Sequence, residues 1–212
     1  MVILVTGGAG YIGSHACVEL LEQGYEVVVI DNLSNSKLES IKRIKKITSK
    51  SLEFVQADLQ DFEALKKVFS EFKIDAVLHF AGFKSVPESI EKPVRYYTNN
   101  LSATFVLCQV MSEFKVKRLV FSSSCTVYGI PLSVPVDENA ALNPCNPYGQ
   151  TKLIIEKFLR DLSQADSSWE IFLLRYFNPI GAHSSGLIGE EPLGVPNHLL
   201  PYISQVAVRR LS

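Results

Sequence analysis

Val2-Ile-Leu-Val-Thr-Gly-Gly-Ala-Gly-Tyr-Ile-Gly13 is the stretch on which the fold turns. Val2–Thr6 is apolar enough for a strand covered on both faces, and a stretch of helical period, Gly13–Gln23, comes at once after it. Between them stands Gly8-x-Gly10-x-x-Gly13, preceded by Gly7, the spacing of a dinucleotide-binding turn. In such a turn Gly8 permits the tight bend and Gly10 lets the backbone approach a pyrophosphate. Gly13 lets the helix pack on the strand, and the helix N-terminus faces the phosphates. The spacing alone is a weak signal. The strand before it, the helix after it and an acid closing the next strand make it a strong one. That acid is Asp31. A carboxylate there accepts from both ribose hydroxyls and repels a 2′-phosphate, so NAD is expected over NADP. A glycine-rich turn needed only for packing is the alternative, which the four features together disfavour.

Further strands are expected at Glu26–Asp31, Leu52–Gln56, Ala76–Phe80, Arg118–Ser123 and Ile171–Tyr176. Helical period runs through Asp61–Phe72, Val94–Phe114 and Tyr148–Gln164, and Gly24 sits where a helix stop belongs. Strict alternation of this kind predicts an α/β protein with a Rossmann-type doubly wound parallel sheet. After Asn178 the composition changes: Gly, Pro, Ser and Asn crowd residues 178–198, and an apolar stretch, Leu199–Val208, comes next. The division expected is therefore 1–178 and 179–212. The last residues, VAVRRLS, read as the middle of a helix.

The 212 residues suffice for one sizeable core, with 47% hydrophobic and 20% charged residues in ordinary globular proportion. A formal charge of −1 leaves no footprint for nucleic acid, and Lys42–Lys46 (KRIKK) reads as the solvated face of a helix. No signal peptide and no membrane-length apolar run stands out. Cys17, Cys108, Cys125 and Cys145 are scattered, and the four histidines lack ligand spacing. A reducing, cytoplasmic location is expected, with no disulfide framework and no metal site.

A second cluster points to chemistry. Tyr148-Gly-Gln-Thr-Lys152 opens a helix announced by Asn146-Pro147, so the phenol and the ammonium share one helical face. To act as a base at neutral pH the phenol needs its pKa lowered by roughly three units, about 4 kcal/mol. Lys152 and a positive nicotinamide ring are the natural sources of that field. Y-x-x-x-K alone is a common surface pair. Here it comes after a dinucleotide turn and the hydroxyl run Ser122-Ser123-Ser124 at a strand end, where ligands of such sheets bind. Ser124 is placed to hydrogen-bond the reacting oxygen, whereas Ser122 and Ser123 are expected to satisfy local backbone. Cys125 reads as a small core residue rather than a nucleophile.

T-G-G-A-G-Y-I-G, H-F-A-G at His79–Gly82, F-S-S-S-C-T-V-Y-G at Phe121–Gly129 and the Tyr148/Lys152 pair resemble the extended short-chain dehydrogenase/reductase superfamily. L-R-Y-F-N-P-I-G-A-H at Leu174–His183 and P-N-H-L-L-P-Y at Pro196–Tyr202 narrow the resemblance to the UDP-glucose (UDP-galactose) 4-epimerases, over nearly all of residues 1–208. The resemblance implies tightly held NAD and interconversion of UDP-galactose and UDP-glucose through a 4-keto sugar. It places Tyr11 and Ile12 at the pyrophosphate, and Asp31, Asn32, Leu33, Ser34, Asn35 and Ser36 at the adenosine ribose. Asp58 and Leu59 meet the adenine. Phe80, Ala81, Gly82, Phe83, Lys84 and Asn99 meet the central part, and Phe177 the nicotinamide. Tyr148, Lys152 and Ser124 become the catalytic set. Lys84, Ser124, Tyr148, Asn178, His198 and Leu199 become substrate contacts. Pro87 and Gln150 stand where relatives carry Gly and Lys, and His198 stands for an Asn. The resemblance further implies that the chain is truncated, with 179–212 the beginning of a substrate-binding lobe, and that a homodimer forms through the helices carrying Phe105, Leu107, Ile154 and Phe158. Two other readings compete. A sugar-nucleotide dehydratase needs Asp-Glu where Cys125-Thr126 stands, and a decarboxylase fits F-N-P-x-G-A-H less well. A nucleotide-binding module without activity is the non-enzymatic alternative.

Overall fold

The computed structural model describes residues 1–196 and 198–211, so Asn197 of the Pro196–Tyr202 motif and Ser212 lie outside the described residues. Six strands form one sheet: β1 (Val2–Thr6), β2 (Glu26–Asp31), β3 (Glu53–Gln56), β4 (Ile74–His79), β5 (Arg118–Ser124) and β6 (Glu170–Tyr176). Their order is β3-β2-β1-β4-β5-β6, and every pairing is parallel. This is the 3-2-1-4-5-6 order of the doubly wound dinucleotide-binding fold, whose crevice opens where the order reverses, between β1 and β4.

Helices α1 (Tyr11–Glu22), α3 (Phe62–Glu71), α5 (Pro93–Glu113) and α6 (Pro147–Ala165) lie where helical period places them, within two residues at each end. Local signals explain the bounds. Asp61 caps α3 by accepting from Ala64 N, Asn146 caps α6 by accepting from Gly149 N, and Gly24 at φ +86° stands just past the end of α1. Two helices are additional. α2 (Leu38–Thr48) buries only Ile41 and Ile44, so its lysines do form a solvated face, and α4 (Val86–Glu91) is too short to show a period. α7 (Leu199–Ala207) corrects the reading of VAVRRLS as helix interior: the helix ends at Ala207, and Arg209 stands at φ +57°.

Two cores flank the sheet. One gathers Leu4, Val28, Val77, Leu107, Met111, Phe121 and Leu159 under α3, α5 and α6. The other gathers Val5, Cys17, Val29, Ile41 and Ile44 under α1 and α2. β6 departs from the expectation of strands covered on both faces. Its Phe172 is 61% exposed, and only the alternate residues Ile171 and Leu173 turn to the core.

At the crevice, His79 closes β4 fully buried between two threonines. Thr104 Oγ1 donates to Asn100 O (2.9 Å), so it accepts from His79 Nε2 (3.0 Å). Nδ1 therefore accepts from Thr6 Oγ1 (2.7 Å), which itself accepts from Ala81 N (3.3 Å). The ring is neutral, and burial, then repulsion by Lys152, lowers its pKa to about 3. An unfolded histidine gains its proton below about 6.5, whereas the folded one does not, so acid favours unfolding. Between pH 6.5 and 5 this costs about 1.5 kcal/mol. Urea unfolding at the two pH values is expected to show that loss in the wild type and a flatter profile in His79→Gln. Equal pH slopes for both proteins would contradict it.

Candidate active site

The first turn is closed by steric necessity. A Cβ on Gly13 would lie 2.3 Å from Gly7 O, so α1 begins directly beneath the turn only because that atom is missing. The tight bend belongs to Gly7, at φ +68°, rather than to Gly8, which instead lets Val29 of β2 approach. A Cβ on Gly10 would meet only Gly7 O, at 3.2 Å, leaving that position open to the cleft. Asp31 Oδ2 accepts from Ala9 N (3.1 Å), and Oδ1 accepts from Leu33 N (2.8 Å) and Ser36 Oγ (2.8 Å). The carboxylate thus ties the glycine turn to the loop after β2, with about one of its four lone-pair sites left for a further donor.

One cleft of about 710 Å³ runs from this turn to the end of β5. Every residue expected at the cofactor or substrate lines it except Gly8, Leu33 and Leu199. Gly8 is turned into the β2 packing, Leu33 packs against the second core at φ +58°, and Leu199 is 73% exposed on α7. Asn32 donates to Asp58 Oδ2 (2.9 Å), linking the loops after β2 and β3 at the end of the cleft nearest Asp31. At the other end Phe177 stacks on Tyr128, with ring centres 6.4 Å apart.

The segment after β6 crosses the cleft and is fastened both by expected site residues, Tyr11, Lys84 and His198, and by Arg43, Glu190, Glu191 and Lys37, which the sequence pattern did not single out. Tyr11 donates through its hydroxyl to Gly181 O (2.8 Å), and Arg43 Nη1 donates to Leu187 O (2.9 Å). Glu190 Oε1 receives both Lys84 Nζ (2.8 Å) and His198 Nδ1 (2.7 Å), two of the expected substrate contacts. Pairing with Lys84 and His198 outweighs burial to lower the pKa of Glu190. Glu191 pairs with Lys37 (3.0 Å). Glu190-Glu191 in a loop carried no periodic signal, and the lysine partners, Lys84 and Lys37, lie more than 100 residues away, where a one-dimensional pattern does not show them.

Tyr148 and Lys152 stand together on α6, buried beneath the same cleft. Lys152 Nζ donates to Ser122 O (2.7 Å) and lies 4.7 Å from the ring centre of Phe121 and 5.9 Å from that of Tyr148. Burial lowers the ammonium to about 8, opposed by Glu156. Burial raises the phenol of Tyr148, opposed by a hydrogen bond with Ser124. Burial is the foremost influence on the phenol among the described residues, so the base form needs the field that Lys152 and a positive nicotinamide ring are together expected to supply. The serine run also differs from expectation. Ser123 Oγ donates to the side chain of Glu156 (2.5 Å), and it is the Ser122 carbonyl that holds Lys152. Burial raises the Cys125 thiol, in keeping with a residue that packs rather than attacks.

Two sequence peculiarities are explained locally. Pro87 lies in the first turn of α4, where no backbone N–H is required, and Gln150 Nε2 donates to Pro144 O (3.0 Å), away from the chemistry.

Residues 3–210 match the model of the NAD dependent epimerase/dehydratase family. The chain belongs to that family. It is 60% identical over 211 residues to the UDP-glucose 4-epimerase of Bacillus subtilis, covering 100% of this chain and 62% of that protein. UDP-glucose 4-epimerase 2 of Arabidopsis thaliana is 57% identical, over 98% of this chain and 60% of its own length. The crystal structure of UDP-glucose 4-epimerase from Bifidobacterium longum in complex with NAD+ and UDP superposes with a TM-score of 0.98 at 49% identity, covering 100% of this chain and 64% of that one. The chain thus spans about 60% of the length of the relatives it matches.

Proposed function

We propose that this chain binds NAD and carries the proton-transfer site of a UDP-glucose 4-epimerase, interconverting UDP-galactose and UDP-glucose by transient oxidation at sugar C4. The observation that carries the reading is that Tyr148, Lys152 and Ser124 line the same cleft as the Gly7–Gly13 turn and Asp31. The cradle fits a dinucleotide: Gly10 leaves room at the helix N-terminus, and the Asp31 carboxylate stands 9% exposed at the end of β2. Held there, NAD supplies the acceptor and donor of hydride. Tyr148 removes the proton of the sugar 4-hydroxyl and later returns it, and Ser124 steadies the same oxygen. Lys152, close over the phenol ring, favours the phenolate through its positive charge. Phe177, backed by Tyr128, borders the nicotinamide end. Lys84, Asn178 and His198 face the nucleotide sugar, with Lys84 and His198 gathered by Glu190, whereas Leu199 stands outside the cleft on α7. Cys125 and Thr126 offer no carboxyl groups for a dehydratase elimination, so the pair serves oxidation and reduction alone.

The same reading supports a homodimer. Phe105 on α5 is 39% exposed and packs edge-on against Phe158 of α6 at 4.7 Å, whereas Leu107 is fully buried in the parent core and takes no part. Four free cysteines, two of them buried, fit a reducing compartment such as the cytoplasm. Among the described residues no helix is long and apolar enough to cross a membrane.

Incubation of the purified chain with NAD and UDP-galactose is expected to yield UDP-glucose, and Tyr148→Phe to slow it by at least about 100-fold. Undiminished turnover by the Phe variant would sink the assignment of Tyr148, and NAD binding without any turnover would leave a cofactor-holding module. Sedimentation velocity at low micromolar concentration is expected to show a dimer that Phe105→Glu dissociates. A wild-type chain that sediments only as a monomer would end the dimer proposal.

A further inference from the structure

α6 presents a third residue in line with its chemical pair. Tyr148, Lys152 and Glu156 are spaced by four, so they form one ridge along the helix. That ridge meets the end of β5 residue by residue. Tyr148 meets the Ser124 hydroxyl, Lys152 Nζ donates to Ser122 O at 2.7 Å, and Ser123 Oγ donates to Glu156 Oε1 at 2.5 Å. Glu156 is fully buried and is gripped from β6 by Arg175, whose Nε reaches Oε1 (3.0 Å) and Nη2 reaches Oε2 (2.7 Å). Arg175 Nη1 in turn donates to the hydroxyl of Tyr128 (3.0 Å), the ring that backs Phe177.

A buried, forked ion pair is a poor device for stability, because well-packed apolar side chains of similar volume often do as well or better. Its position suggests another use. Lys152 is a buried cation that donates to a neutral carbonyl, that of Ser122. The groups facing it are Tyr148 and Glu156 from its own helix, neutral His79 from β4, the Phe121 ring and Ser122 carbonyl from β5, and the side chain of Asn100 from α5 beside Gly82. Glu156 is the anion among them, and the cations that face it are Arg175 from β6 and Arg160 one turn along α6, whose Nη2 lies 4.0 Å from Oε2.

We propose that Glu156 is a positioning residue of the proton-transfer site: clamped by Arg175 and Ser123, it sets the seat of the Tyr148–Lys152 ridge on β5 and supplies the negative charge that keeps Lys152 an ammonium. It acts on the phenol through Lys152 and touches neither substrate nor cofactor. The inference rests on reading Tyr148 and Lys152 as the proton-transfer pair.

The test reads Lys152 itself. In the 212-residue chain with lysine labelled at Cε, the Lys152 resonance, assigned by its loss in Lys152→Arg, is titrated by NMR. Glu156→Gln keeps the shape and removes the charge, and is expected to weaken proton binding at Lys152 by at least about ten-fold. Glu156→Asp, which keeps the charge, is expected to restore most of it. A folded Gln variant with the wild-type midpoint, or an Asp variant that falls as far as Gln, overturns the proposal. Should Glu156→Gln strand Arg175 and fail to fold, Glu156→Gln with Arg175→Gln leaves no unpaired charge. It is read against Arg175→Gln alone, so that only the carboxylate differs between the two proteins: a lower midpoint in the double variant supports the role and an equal one overturns it. The titration needs neither NAD nor sugar turnover, so its failure leaves the epimerase reading standing, and the loss of that reading does not move the midpoint.

Discussion

The distance between Gly13 and the carbonyl of Gly7 governs where the cleft can form. With 2.3 Å from that oxygen to the place a Cβ would occupy, no other residue lets α1 start where β1 stops. That contact brings the N-terminus of α1 over the carboxyl end of β1, beside the point where the strand order reverses. Asp31 reinforces it, because one carboxylate binds the turn through Ala9 N and the β2 loop through Leu33 N and Ser36. His79 adds a tie below, joining β1, β4 and α5 through Thr6 and Thr104. The cleft floor is therefore fixed from three directions before any ligand enters.

The chemical end is built on a different principle. There, charge itself is buried: Lys152 and Glu156 lie on one ridge and Arg175 on the neighbouring strand, each with a defined partner. Burial alone drives the phenol of Tyr148 away from its basic form and draws Lys152 down toward neutrality. Glu156 opposes that effect at Lys152 and the hydrogen bond with Ser124 opposes it at Tyr148, while Ser123 and Arg175, through Glu156, lock α6 to β5 and β6.

The backbone of the site was legible in the sequence because its signals are local. The Gly7–Gly13 turn, Asp31 and the Tyr148/Lys152 spacing each declare themselves within a few residues, and all three face the cleft. Helix bounds were readable for the same reason, through Asp61, Asn146 and Gly24. The roles of individual groups were less legible. The tight bend expected of Gly8 belongs to Gly7, because φ is not written in a glycine run. Ser123 turned from a backbone partner into a partner of Glu156, which stands 33 positions away. Glu190 and Glu191 gave no signal, since their lysine partners lie at the start of α2 and in the loop after β4, more than 100 positions away. The uncovered face of β6 was hidden by residues as apolar as those of a central strand.

Everything proposed for the chemistry presupposes that the glycine turn and Asp31 hold a dinucleotide without a 2′-phosphate. Calorimetric titration of the purified chain with NAD and, separately, with NADP reads this directly. NAD is expected to bind at one site per chain, at least about ten-fold more tightly than NADP, because the Asp31 carboxylate repels the extra phosphate. Equal affinity for the two, or a folded chain that binds neither, would contradict the account.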